Sequence, residues 1–322
     1  MKKENKKIVT TKDLDKHVTK ELKDSSEEKE IHLFDGQNVA ISISDSPEIE
    51  HLGFSLAHQR NLITETTRFL IIHGSSLVYG GDLRQNGYTR LFSNLVHQYR
   101  PSKEVGKLFF KNYFSFPIHL KLTKSDILEF KKNGVLPVIV DPPKNLDIDK
   151  SMPYVPVGND NLFIWAESLT KMRQEMQNDT GARIFTGGKM SNFKGKYPGL
   201  LEEAILALEN NIPVYFMGIF GGITLRIIEG LNGQKPEELT IEWQSSQNQN
   251  YEKFVNYYNS KKSEDRIDYK ECIKFLNEYT LEKLSKNNGL SIEENKRLFS
   301  SIHTSEIIFL IMKGLTNKLN KK

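Results

Sequence analysis

Charged positions dominate the first stretch of the chain, and a regular alternation of apolar strands with amphipathic helices takes over only from Asn38. In "MKKENKK", "KDLDKH" and "ELKDSSEEKE" few large apolar side chains interrupt the charges, too few to close a core. Residues 1–30 are therefore read as a charged arm, flexible or folded as a lone amphipathic helix, with Ile8, Leu14 and Val18 loosely spaced in it.

Beyond Asn38 the periods switch repeatedly between strand and helix. "NVAISIS" predicts a buried strand that ends in the turn "DSPE", and "LAHQRNLITETTRFLIIHG" predicts a helix stopped at Gly74. "SLVYGG" and "YTRLFSNLVHQYR" repeat the strand–helix pair, and "KLFFKNY" predicts a third strand. "SDILEFKKNG" reads as a helix capped at Ser125, followed by the strand "VLPVIV". The long helix "NLFIWAESLTKMRQEMQND", the strand "ARIFTGG", the helix "PGLLEEAILALENN" begun by Pro198, the strand "IPVYFMG" and the helix "GITLRIIEGLNG" complete the series. Strands separated by helices of this length require crossover connections, hence an α/β, Rossmann-like parallel sheet with helices on both faces. Residues 31–240 are assigned to it.

After residue 240 the strand signal fades. "YEKFVNYYNSKKSEDRIDYKECIKFLNEYTLEKLSKNNG" and "SIEENKRLFSSIHTSEIIFLIMKGL" carry helical periodicity, with a capping box at Ser291 and Glu294 and a further candidate cap at Thr304. Residues 241–322 are read as a C-terminal helical annex packed on the sheet.

Three predicted strands end in glycine. "VYGGDLRQNG", "FTGGKMSNFKG" and "FMGIFGG" each lie between a strand and a helix. The carboxyl ends of parallel strands form a ligand crevice. Glycine there lets backbone N–H groups approach a ligand, and the following helix N-terminus favours phosphate. Gly80, Gly81, Gly187, Gly188, Gly221 and Gly222 are thus candidate ligand-binding positions, with Arg84, Lys189, Lys194 and Lys196 to neutralise a diphosphate. Asp82 suits ribose hydroxyls, or else pairs with Arg84 to hold its own turn. Ser44, Asp45 and Ser46 stand at a fourth strand end, suited to ribose or phosphate. Glu202 and Glu203 open the "PGLLEEA" helix on the expected crevice side; if the chain is an enzyme, they are its catalytic candidates, and otherwise they simply suit the helix dipole.

Composition narrows the class. The 322 residues carry 45 basic and 41 acidic side chains, a net charge of +4 that does not by itself point to nucleic acid. The one cysteine, Cys272, excludes an internal disulfide framework and fits a reducing compartment. No apolar run reaches the ~20 residues of a membrane span, and no signal-peptide core follows the first lysines, so a cytoplasmic protein is expected. Tyr113, Phe114 and Phe116 are read as core or as base-stacking side chains; His58, His73 and His119 lack metal-ligand spacing, and no metal is assigned.

Taken together, "NVAISIS", "YGGDLRQNGYTRLF", "NYFSFPIHL", "GGKMSNFKGKYPGLLEEAILALENNIPVYFMGIFGG" and "NNGLSIEENKRLF" resemble the SLOG superfamily over roughly residues 33–315. That superfamily includes Smf proteins and the Lonely Guy phosphoribohydrolases, and the likeness is nearest to the bacterial conflict-system branch with the Thoeris-type sensors. The resemblance implies a Rossmann-like sheet that binds nucleotide-derived molecules, often relatives of ADP-ribose or NAD, with binding coupled to an oligomeric assembly. It implies a pocket lined by Gly80, Gly81, Asp82, Arg84, Gly187, Gly188, Lys189, Glu202, Gly221 and Gly222. "GIFGG" departs from the more usual GGFGG at Ile219, and "PGLLEEA" lacks the glycine–threonine turn of the phosphoribohydrolases, which counts against their hydrolytic arrangement.

Three functions follow as expectations. The first is a binding protein that senses or sequesters an NAD-derived, ADP-ribose-like nucleotide in antiphage defence, as a homo-oligomer or a subunit of a defence complex, with no separate cofactor. The second is a nucleotide N-glycosidase or phosphoribohydrolase-like enzyme that cleaves an N-glycosidic or phosphate bond. The third is an assembly subunit with a vestigial pocket.

Overall fold

The computed structural model describes residues 33–100, 108–149 and 152–319. The charged arm expected over residues 1–30 lies outside the described residues.

Six parallel strands form one sheet: β1 (Asn38–Ser44), β2 (Ser76–Gly80), β3 (Phe110–Ser115), β4 (Val135–Val140), β5 (Ala182–Gly187) and β6 (Val214–Met217). Their spatial order is β4-β3-β2-β1-β5-β6. The chain therefore builds outward from β1 to β4, returns, and builds the other way from β5. The reversal lies between β1 and β5, whose register runs from Val39–Ala182 to Ser44–Gly187, and a crevice at the carboxyl ends of such a pair is the usual ligand position of an open α/β sheet.

Side chains alternate across each strand, so each strand feeds two cores. Val39, Ile41 and Ile43 of β1, with Ala182 and Ile184 of β5, face one core. The helices α1 (Leu56–Ile72), α2 (Tyr88–Tyr99) and α3 (Lys124–Lys132) cover it. Phe185, Val214 and Phe216 face the other side, covered by α4 (Asn159–Asn178), α5 (Gly199–Glu209) and α6 (Gly222–Leu231). Helices on both faces of a parallel sheet make this an α/β Rossmann-like fold.

Local signals account for most boundaries. Gly74 turns the chain out of α1 with φ +87°, and Ser291 with Glu294 closes the capping box. The cap of α3 is Thr123 rather than the expected Ser125, because the Thr123 hydroxyl takes the Asp126 N–H while the Asp126 carboxylate returns to the Thr123 N–H.

The C-terminal helices are α7 (Ile241–Gln247), α8 (Tyr251–Lys261), α9 (Tyr269–Glu278), α10 (Leu281–Asn288), α11 (Ile292–Ser300) and α12 (Thr304–Leu319). Leu310, Ile311 and Leu315 of α12 join the core under α1. At the outer edge of β6, Val214 donates its N–H to Asn287 Oδ1 (3.0 Å), and Asn288 Nδ2 donates to the Val214 carbonyl (2.9 Å). Gly218 N–H reaches the Phe299 carbonyl at 3.1 Å. Buried carboxamides thus stand where a seventh strand would pair, which blocks the edge against other chains. Among the described residues no helix is long and apolar enough to cross a membrane.

Candidate functional site

The crevice between the β1 and β5 ends joins Ser44, Gly188 and Lys189 of the expected residues through internal hydrogen bonds. Ser44 Oγ accepts the Lys189 N–H at 3.1 Å, and the Ser44 carbonyl accepts the Gly188 N–H at 2.9 Å. Gln59, fully buried on α1, adds a bond from Nε2 to the same carbonyl at 3.3 Å. Asp45 accepts the Tyr88 hydroxyl at 3.2 Å; burial and this carboxylate push the Tyr88 phenol up, so it remains a proton donor. Ser46 is buried, and its hydroxyl has no hydrogen-bond partner among the described residues.

At the β2 end, Gly81 donates its N–H to the Tyr113 carbonyl at 2.7 Å. Asp82 holds its own turn: Oδ1 accepts the Arg84 N–H at 2.9 Å, and Oδ2 lies 3.1 Å from Arg84 Nη2. This bond raises the Arg84 pKa. The Arg84 side chain is 56 % exposed, so the pair sits in high dielectric at the crevice rim. Lys189 is exposed as well.

The glycines serve packing between loops. The expectation that their bare amides converge on an anion does not hold for Gly81, Gly188, Gly221 or Gly222, because each of these N–H groups is already bonded within the protein. Gly221 bonds the Gly218 carbonyl, and Gly222 donates to Glu48 Oε1 at 2.8 Å. A Cβ on Gly222, at φ +67°, would stand 2.4 Å from the Gly188 carbonyl oxygen; one on Gly187, at φ +63°, would meet Gln59 Nε2 at 2.2 Å. Close approach of the β5 and β6 loops demands glycine at 222, and contact with Gln59 of α1 and the Ser44 carbonyl of β1 demands it at 187. Gly80 has Met172 as its nearest neighbour, at 3.1 Å from an added Cβ.

The α6 N-terminus is likewise taken. Glu48 places a carboxylate where a phosphate would bind, and Arg226 holds that carboxylate at 2.8 Å while also pairing with Glu229 and Glu238. An acid at a helix N-terminus satisfies both the dipole and the free N–H groups.

Glu202 and Glu203 do not open into the crevice. Glu202, 4 % exposed, is bonded to Arg173 of α4 and to the Thr170 hydroxyl. Glu203 binds the Ser42 hydroxyl and lies 2.8 Å from Arg183 of β5, which is 1 % exposed. Ser42 precedes the carboxyl end of β1 by two residues, so the Glu203 carboxylate sits on the sheet face under α4 and α5. Glu202 lines a separate cavity of 630 Å³ with Tyr197 and Cys272. Burial pushes the Cys272 thiol up to about 12, an inert state.

Lys194 and Lys196 part company. Lys196 is buried and pairs with Asp265 at 2.7 Å. The Lys194 ammonium rests 4.4 Å above the Trp165 ring.

A family model described as SLOG cluster2 matches residues 33–298. The chain belongs to the SLOG superfamily. No curated protein matches the sequence. SLOG membership points to nucleotide-related binding or processing, and the match spans the whole sheet and the helices as far as α11.

Within this SLOG chain the sequence reading passed over Gln59, Tyr88, Glu48 and Arg226. Glu48 had one visible signal, an acid in the turn "DSPE" directly after the first strand. Gln59 had none, since a glutamine on a helix gives no hint that it reaches a strand end.

Proposed function

We propose that this SLOG protein binds an NAD-derived, ADP-ribose-like nucleotide and acts as a sensor or sink for it in bacterial antiphage defence, in the manner of the Thoeris-type branch. The observation that carries the reading is a division of charge. At the carboxyl edge of the sheet, Lys189 is exposed beside the Gly187–Gly188 turn, and Arg84, paired with Asp82, keeps a side chain that is 56 % exposed. The acids that could cleave a glycosidic bond, Glu202 and Glu203, are spent in buried ion pairs with Arg173 and Arg183. A general acid or nucleophile must reach the bond it serves, so this arrangement favours holding a ligand over hydrolysing it. Asp45 and Asp82 supply acceptors for ribose hydroxyls, and the buried free thiol suits a cytoplasmic setting.

Calorimetry with ADP-ribose, its cyclic isomers, NAD and simple nucleotides tests the reading, followed by chromatography of the recovered ligand. Saturable heat with an ADP-ribose-like molecule, recovered intact, is the expected result; no heat across the panel, or release of free base or ribose phosphate, removes it. The proposal extends to assembly, as a homo-oligomer or within a defence complex. Light scattering with and without ligand should then report a change in mass.

A further inference from the structure

The lysines of the β5 loop lead away from the glycine turns into a groove of different character. It consists of two contiguous cavities, of 510 and 570 Å³, that share Pro156 and Lys194, volumes suited to a small-molecule ligand. No carboxylate lines either one, while Lys121, Lys194 and Lys253 do. Lys121, Lys189 and Lys194 form no ion pair among the described residues. Gly158, with φ +80° and no side-chain cap for the helix it precedes, lines the second cavity and so places the α4 N-terminus on the groove. The nearest acid in that first turn, Asp160, is engaged by the Tyr257 hydroxyl.

Lys194 is a preorganised cation. The Trp165 ring beneath its ammonium is 4 % exposed and is locked by a 2.9 Å bond from Nε1 to the Tyr154 carbonyl. A cation over a fixed indole loses little freedom when an anion arrives. Burial, then Lys121 and Lys189, lower the Lys194 pKa, a sign of unanswered positive charge at this spot. Met152, Val155 and Val157, at 56, 58 and 74 % exposed, rim the same groove with apolar surface that the fold leaves uncovered.

From this juxtaposition we infer that the groove between residues 152–158 and the β5 loop is a phosphate-binding subsite, in which Lys194, supported by Lys121 and Lys189, holds the diphosphate of a nucleotide whose apolar portion lies along Met152, Val155 and Val157. The inference rests on the nucleotide reading for the rest of the ligand and moves the anion from the glycine turns to this groove.

The test uses the full chain and inorganic pyrophosphate. In Trp243→Phe, Trp165 is the single remaining tryptophan, and its emission reports directly on the ammonium above it. Pyrophosphate should change that emission saturably. Lys194→Met should weaken binding about tenfold or more, as expected for loss of one charge-assisted contact, while Lys194→Arg keeps it within a few-fold and confirms that the loop still folds. Equal affinity in wild type and Lys194→Met overturns the inference, and so does equal displacement by sulfate, which would mark an unselective cluster of lysines. ADP-ribose bound equally well by wild type and Lys194→Met would overturn the groove and leave the nucleotide reading standing. Pyrophosphate binding through Lys194 with no binding of any nucleotide would do the opposite.

Discussion

At the carboxyl ends of β2, β5 and β6 the chain satisfies its own polar groups; in the groove beside α4 it leaves charges open. Asp82 is clasped by Arg84, Glu48 occupies the α6 N-terminus, and the amides of Gly81, Gly188 and Gly222 are bonded internally. Lys121 and Lys194, by contrast, line a groove free of acids. Glycine-rich turns and exposed cations are both features of anion sites, yet here the turn amides are satisfied internally, while Lys121 and Lys194 stand in the groove and only Lys189 directly follows a glycine turn, at Gly188. A glycine turn is also the cheapest way to bring two loops into contact, and hydrogen-bond accounting is what tells the two uses apart.

The sharpest way to break the comparison is to remove an internal answer. Glu203→Gln leaves the Arg183 guanidinium buried with no carboxylate beside it, and a stability loss of about 3–5 kcal/mol is expected in urea unfolding. If Glu203 were instead a catalytic group in an open crevice, stability would barely move and turnover would vanish.

Gly222→Ala comes next. It forces a side chain into φ +67° and against the Gly188 carbonyl, so thermal unfolding should show a loss of at least about 1–2 kcal/mol. Unchanged stability would mean that the two loops are not packed as described and that their amides are available to a ligand.

Arg84→Ala should cost less than about 1 kcal/mol of stability, because the Asp82–Arg84 pair is exposed and screened. Its effect belongs to the ligand: ADP-ribose affinity should fall several-fold while pyrophosphate affinity in the groove stays level. A parallel fall in both would merge the two regions into one site.

The smallest effect is in pH. The Lys194 pKa is lowered by burial and by Lys121 and Lys189, so its charge is lost, as pH rises, before that of an ordinary lysine near ~10.4. Pyrophosphate affinity should therefore be full at neutral pH and decline on the alkaline side earlier than in Lys194→Arg. Identical pH profiles for the two proteins would separate Lys194 from binding.

Much of the fold was legible because it is periodic. All six strands and the helices between them appear in the expected order, with β3 beginning at Phe110 and running on to Ser115, past the expected "KLFFKNY", and the glycines and caps mark several of their ends. Site residues were less legible, for identifiable reasons. Glu202 and Glu203 occupy the helix position that a catalytic pair would need, but their partners, Arg173 and Arg183, sit on a different helix and strand. "KNNG" reads as a helix end, and only its contact with β6 reveals that Asn287 and Asn288 replace a strand.

What the sequence by itself determined is the order of strands and helices, the helical character of the C-terminal part and the SLOG likeness, since periodicity and turn chemistry act between residues close along the chain. What only the tertiary structure decided is which polar groups are satisfied. Hydrogen bonds and ion pairs here join residues as far apart as Ser44 and Lys189, or Glu48 and Arg226, and no local pattern specifies whether an amide or a charge will find its partner inside the fold or be left for a ligand.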